Sequence, residues 1–95
     1  MLQKFNPKNE TIKIHVNGVL LPRDEAKVSV FDSVVQGGDA VWEGLRVYKG
    51  AIFCLDRHLD RLEASAHALA FAYIPKKEDV KAAIFETLKA NGMND

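Results

Sequence analysis

The sequence has one cysteine, no excess of either charge and no long hydrophobic run. Each shortage excludes something. Cys54 has no partner for an internal disulfide, so nothing demands an oxidising compartment and a reduced, cytoplasmic setting is expected. It reads as a small apolar residue near the end of a strand. Thirteen basic and thirteen acidic side chains cancel. Nucleic-acid readers carry a basic excess that displaces counterions from phosphates, so that partner class is not expected. No apolar run approaches the ~20 residues that span a bilayer. The first ten residues, MLQKFNPKNE, lack the apolar core of a signal peptide. No membrane partner is expected. Metal-ligand spacing, paired carboxylates and a Ser/His/Asp set are all missing, and no segment repeats.

What is present fits one domain over residues 1–95, with 47% apolar residues for a single modest core. Residues 1–10 read as an irregular lead-in. From Thr11 to Val16 the pattern alternates, with Ile12, Ile14 and Val16 on one face and Lys13 and His15 on the other, which predicts a half-buried strand with His15 toward solvent. Asn17-Gly18 predicts a two-residue hairpin turn into Val19–Leu21, where Pro22 ends the pairing. Alternation resumes over residues 28–31. Asp32-Ser33 predicts the cap of a short helical turn through Gln36, closed by Gly37-Gly38. Val41–Tyr48 reads as a strand, Lys49-Gly50 as a tight turn, and Ala51–Leu55 as the returning strand.

Two helices follow. The first is predicted from Asp56 to Phe71, with Leu55, Leu59, Leu62, Ala66 and Leu69 as its buried stripe. The second is predicted from Lys76 to Ala90. Pro75 lies at its start, Val80, Ile84 and Leu88 form its stripe, and Asn91-Gly92 is its stop. Strands first and helices after predict an α+β fold: an antiparallel hairpin meander with helices packed on one face, in two layers.

Candidate chemistry concentrates in GGDAVWEGLRVY, residues 37–48. Its paired glycines invite a phosphate-loop reading, but spacing rejects it. A Walker loop needs four residues between glycines and then Lys-Ser or Lys-Thr, whereas Gly38 and Gly44 enclose five and Leu45 follows. A dinucleotide fingerprint leads into a helix, and this segment leads into a strand. Along that strand Trp42, Gly44, Arg46 and Tyr48 share one face, and Val41, Glu43, Leu45 and Val47 the other. The first face offers an aromatic wall, a gap and a fixed positive charge, which suits a pocket. It equally suits a surface where Arg46 stacks on Trp42 or Tyr48. The second face is apolar apart from Glu43, a carboxylate that must find a hydrogen-bonding or cationic partner. On the first helix, His58, Arg61 and Ser65 flank one side of the stripe. Asp56, Asp60, Glu63 and His67 lie toward the other. A donor-rich flank beside buried surface can hold an anion. The alternative is a solvated helix with Arg57 and Arg61 paired to Asp56, Asp60 or Glu63.

Taken together, residues 39–50 (DAVWEGLRVYKG), Ile52-Phe53, His58-Leu59-Asp60-Arg61-Leu62 and Ser65-Ala66 closely resemble the N-terminal domain of class IV pyridoxal-phosphate-dependent aminotransferases. The hairpin at Asn17-Gly18 and the segment from Pro22 to Phe31 match as well, so the resemblance covers nearly the whole chain. It implies that Arg61, the arginine of the His-x-x-Arg-Leu motif, binds the phosphate of pyridoxal 5'-phosphate, with His58 near it. Trp42 aligns with an aromatic pocket wall. Gly44 and Arg46 match the Glu-Gly-x-Arg pattern of branched-chain-like members, whose residues there line the substrate pocket. One departure is Gly37, which stands where the family commonly has an aromatic residue.

The resemblance further implies that this is the small N-terminal domain of a longer two-domain, homodimeric enzyme. That enzyme would exchange an amino group between a hydrophobic, branched-chain amino acid and 2-oxoglutarate. The family's catalytic lysine, which forms a Schiff base with the cofactor, comes from the C-terminal domain, and none of the nine lysines here has its context. The 95-residue chain alone is therefore expected to be inactive. A D-amino-acid aminotransferase or an aminodeoxychorismate lyase of the same family is the near alternative. A non-catalytic module keeping this fold for self-association or partner binding is the distant one.

Overall fold

Asn17 and Gly18 both hold positive φ, 50° and 87°. That is the turn whose twist matches two right-handed strands, and it joins β1 (Lys13–Val16) to β2 (Val19–Pro22). The register pairs Ile14 with Leu21 and Val16 with Val19. The same geometry recurs at Lys49 and Gly50, at 47° and 80°, between β3 (Val47–Tyr48) and β4 (Ala51–Ile52). This computed structural model describes residues 4 and 6–94. The predicted lead-in therefore lies partly outside the described residues. Within it, Pro7–Asn9 form a 3-10 turn, capped by the Asn6 side chain accepting from the Lys8 amide.

Between the hairpins, α1 (Ser33–Gly37) begins where Asp32 Oδ1 accepts from the Val34 amide at 2.9 Å and stops at left-handed Gly38, as its capping residues predict. Helix α2 runs over Leu55–Ala68 and α3 over Lys77–Ala90. The fold class is the expected α+β, with small antiparallel pairs and helices. The sheet is divided, however: β1–β2 and β3–β4 form two separate two-stranded pairs instead of one meander. Residues 41–46 alternate in burial but lie in no strand, and among the described residues their ladder-like bond runs from the Phe53 amide to the Arg46 carbonyl, at 2.9 Å. Pro22 has no N–H to continue β2, and a 3-10 turn over Arg23–Glu25 leads the chain away. Residues 28–31 are exposed and turn through Ser29, whose hydroxyl accepts from the Phe31 amide.

Both helices end in paired carbonyl captures. At α3, the Met93 amide reaches Leu88 O and the Gly92 amide reaches Lys89 O, with Gly92 at φ 59°. This is the Schellman arrangement the Asn-Gly pair predicts. Helix α2 ends the same way, with the Phe71 amide on Ala66 O and the Ala70 amide on His67 O. Here an alanine, Ala70, holds the left-handed position at φ 55°. The helix therefore stops at Ala68, short of the predicted Phe71, and Leu69 lies exposed instead of on the stripe.

The core is thin. Leu59 and Ala66, at 4% and 5% exposure, are its buried apolar residues among those described. Val80, Ile84 and Leu88 of α3 are half-buried. An apolar cleft of about 190 Å³ lies between the helices, bordered by Val41, Leu59, Ala66, Ile74 and Val80. The helices are also tied by charge. Lys77 reaches Asp60 at 2.8 Å and Asp56 at 3.4 Å, and Lys81 reaches Asp56 at 2.7 Å. Asn91 links α3 to β1: Lys13 N donates to its Oδ1 at 2.7 Å, and its Nδ2 donates to Lys13 O at 2.9 Å. His15 is half-buried and borders the clefts against Val80 and Ala83, so it does not simply face solvent. Among the described residues, no helix is long and apolar enough to cross a membrane.

Candidate functional site

The segment 41–48 keeps its period of two even where it lacks ladder partners. Val41, Glu43, Leu45 and Val47 are half-buried, and Trp42, Gly44, Arg46 and Tyr48 are exposed. Alternation along an extended chain requires this split. It places the candidate residues in two groups, on opposite faces.

The inner group forms around Glu43, whose side chain is only 10% exposed. Two residues one turn apart on α2 meet its carboxylate. His58 Nδ1 lies 2.6 Å from Oε1. Arg61 approaches side-on, with Nε 2.9 Å from Oε2 and Nη2 2.6 Å from Oε1. Spacing of i, i+3 brings His58 and Arg61 to one side of the helix. The hydrogen bonds from Arg61 and then from His58 hold the Glu43 carboxyl at about 2, against 4.5 for an ordinary glutamate, although burial works the other way. Glu43 is therefore an acceptor at neutral pH, and the proton on the shared edge belongs to His58 Nδ1. A protonated Nδ1 cannot accept from Arg61, so their 3.4 Å approach is a contact, not a hydrogen bond. Among the described residues, Arg61 Nη1 and His58 Nε2 carry no hydrogen-bond partner. Arg61 itself is 67% exposed. The group thus presents one guanidinium end outward from a buried carboxylate, with the less exposed His58 ring beside it.

The outer group has different chemistry. The Trp42 indole, 82% exposed, folds back over Gly44. A Cβ built on Gly44 would meet indole Cζ3 at 3.2 Å, so the gap predicted there is covered by the ring itself. The Arg46 guanidinium lies 5.4 Å from the Tyr48 ring centroid, the stacked reading of this face. Tyr48 meets Phe53 edge-on at 6.5 Å. A row of rings with one cation can cover one side of an organic ligand.

The structure therefore joins His58 to Arg61, and Trp42 to Gly44, but does not gather all five around one cavity. Asp56 and Asp60 pair with α3 lysines, which leaves Arg61 to Glu43. Glu43 is the residue missing from the predicted site. Its signal was a lone carboxylate on an apolar strand face, but the identity of its partners was not available from that pattern.

Comparisons with known proteins bear on the family and the fold. The family model for amino-transferase class IV matches residues 40–95. The chain is 63% identical, over 94% of its length, to branched-chain-amino-acid aminotransferase-like protein 1 of Arabidopsis thaliana. It is 35% identical over 87% of its length to a D-alanine aminotransferase of Listeria monocytogenes. The crystal structure of a branched-chain aminotransferase from Thermoproteus uzoniensis, determined with norvaline, superposes with a TM-score of 0.79 at 31% identity over 90% of the chain. The chain spans 16%, 29% and 30% of these three proteins, respectively. The match of the family model over more than half of its residues, with the fold and motifs in agreement, makes this chain a member of the class IV aminotransferase family.

Proposed function

We propose that this chain is the small N-terminal domain of a branched-chain-like aminotransferase that uses pyridoxal 5'-phosphate. The observation that carries the reading is the Arg61 guanidinium, seated by its Nε edge and open at its Nη1 end beside His58. That donor set fits a phosphate group: a planar fork with three free N–H groups, next to a ring nitrogen able to donate when protonated. Trp42, Gly44 and Arg46 form the substrate-side wall, with Arg46 supplying positive charge for a carboxylate. When bound, the cofactor supplies an electron-accepting ring that stabilises charge at the substrate α-carbon. The chain's residues hold the phosphate and shape the approach of substrate. The proton-shuttling lysine belongs to the second domain, so this chain is half of a site and inactive alone. Amino acid and 2-oxo acid, with 2-oxoglutarate as acceptor, are the substrates of the complete homodimeric enzyme. Higher identity to the branched-chain-like relative than to the D-alanine enzyme, 63% against 35%, favours hydrophobic L-amino acids.

The test uses pyridoxamine 5'-phosphate, which has no aldehyde to condense with surface lysines. Titration of the 95-residue chain should shift the Arg61 side-chain NMR signals, and Arg61→Ala should abolish binding. Undiminished binding by Arg61→Ala would overturn the phosphate assignment. Transaminase turnover by the pure chain would overturn its reading as half a site.

A further inference from the structure

We propose that Glu43 is a positioning residue for this anion site: it fixes the Arg61 guanidinium by one edge so that the opposite end is aimed outward before any ligand arrives. The proposal rests on the phosphate reading above and assigns Glu43 a role within it.

The geometry is that of a lever with an anchored base. Glu43 is nearly enclosed and Arg61 is mostly exposed, so the carboxylate is the fixed partner and the guanidinium the presented one. The contact is two-point. Nε and Nη2 both engage the carboxylate, and two parallel N–H bonds fix the guanidinium plane as well as its position. The carboxylate is held in turn by His58 Nδ1 at 2.6 Å. It therefore has contacts to both α2 residues and cannot rotate freely about its own bonds. Five N–H groups leave an arginine; Glu43 takes Nε–H and one of Nη2, and the other three, two on Nη1 and one on Nη2, remain for an anion. A long, exposed arginine without such a brace samples many rotamers and loses that freedom on binding. The period-two burial of residues 41–48 supplies the brace, because Glu43 alone among the four inner residues is polar.

The opposite expectation is equally definite. If Glu43 served only as a counter-charge, it would repel a phosphate, and removing its charge would tighten binding. Positioning predicts the reverse sign. Glu43→Gln and Glu43→Ala should weaken binding of pyridoxamine 5'-phosphate and of inorganic phosphate by a few-fold to about tenfold, the range that fixing one long side chain is worth. A variant at an exposed ring outside both groups, such as Tyr73→Phe, should leave phosphate binding unchanged. Tighter or unaltered binding in both Glu43 variants, while Arg61→Ala abolishes it, would overturn the proposal and leave the phosphate reading standing. Wild-type binding by Arg61→Ala would overturn both. A second measurement does not depend on variants that fold. In the unligated wild-type chain, the Arg61 Nε–H should give a resolved NMR signal with slowed hydrogen exchange and restricted motion. A signal averaged like that of a free arginine would also overturn the proposal.

Discussion

Replacing Gly44 with alanine tests the arrangement of the outer face with a built-in reporter, because Trp42 is the single tryptophan. The added Cβ would lie 3.2 Å from indole Cζ3 and 3.9 Å from Cη2. The first distance is a few tenths of an ångström inside ordinary contact, so one partner must yield. Gly44 sits in an extended segment without positive φ, so its backbone does not need glycine. The indole is 82% exposed and can swing away at little cost. Against that small contact term, alanine removes unfolded-state freedom worth about 0.4–1 kcal/mol. Net stability should therefore stay level or rise by up to about 1 kcal/mol, or roughly 4–8 °C per kcal/mol in Tm for a domain of this size. The tryptophan emission and near-ultraviolet circular dichroism should change, because the ring loses its seat over the backbone. Thermal melts and fluorescence on the same samples decide the matter. A loss of more than about 2 kcal/mol would mean a tightly packed site, and an unchanged emission spectrum would mean the indole does not rest on Gly44. Either result refutes the reasoning.

The helix ends offer a reciprocal pair. Gly92→Ala should destabilise by about 1 kcal/mol, since the left-handed conformation, not crowding, penalises the Cβ there, whereas Ala70→Gly should be neutral or mildly stabilising; urea melts read both. Asn91→Ala should cost about 1–2 kcal/mol by removing its two-way bond to the Lys13 backbone, and amide exchange at Lys13 should accelerate in step. Glu43, held at about 2, binds a proton more readily in the unfolded chain, so its contribution is complete above 4.5 and is lost as pH falls toward 2. Acid titration of the wild type should show that loss, and Glu43→Gln should flatten it.

Local chemistry determined much of this protein from sequence alone. The two hairpin turns, the Asp32 cap and the Asn91-Gly92 stop each depend on a few adjacent residues, and each is found where the sequence places it. The two faces of 41–48 follow from the period of an extended chain, which survives without a ladder. The motifs likewise carry the family. Other features depended on distant contacts. Ala70 takes a left-handed angle that no local preference would assign it, and it ends α2 early through carbonyls already positioned by the helix. The hairpins do not merge into one sheet, because backbone pairing across 41–46 requires partners that the pattern of side chains does not specify. Most directly, sequence periodicity required that Glu43 find a partner but could not name one. Folding α2 against the 41–46 segment brought together residues 15 and 18 positions apart, so that Glu43 met His58 and Arg61. A carboxylate's need for charge is local, whereas the choice of charge is a matter of tertiary proximity.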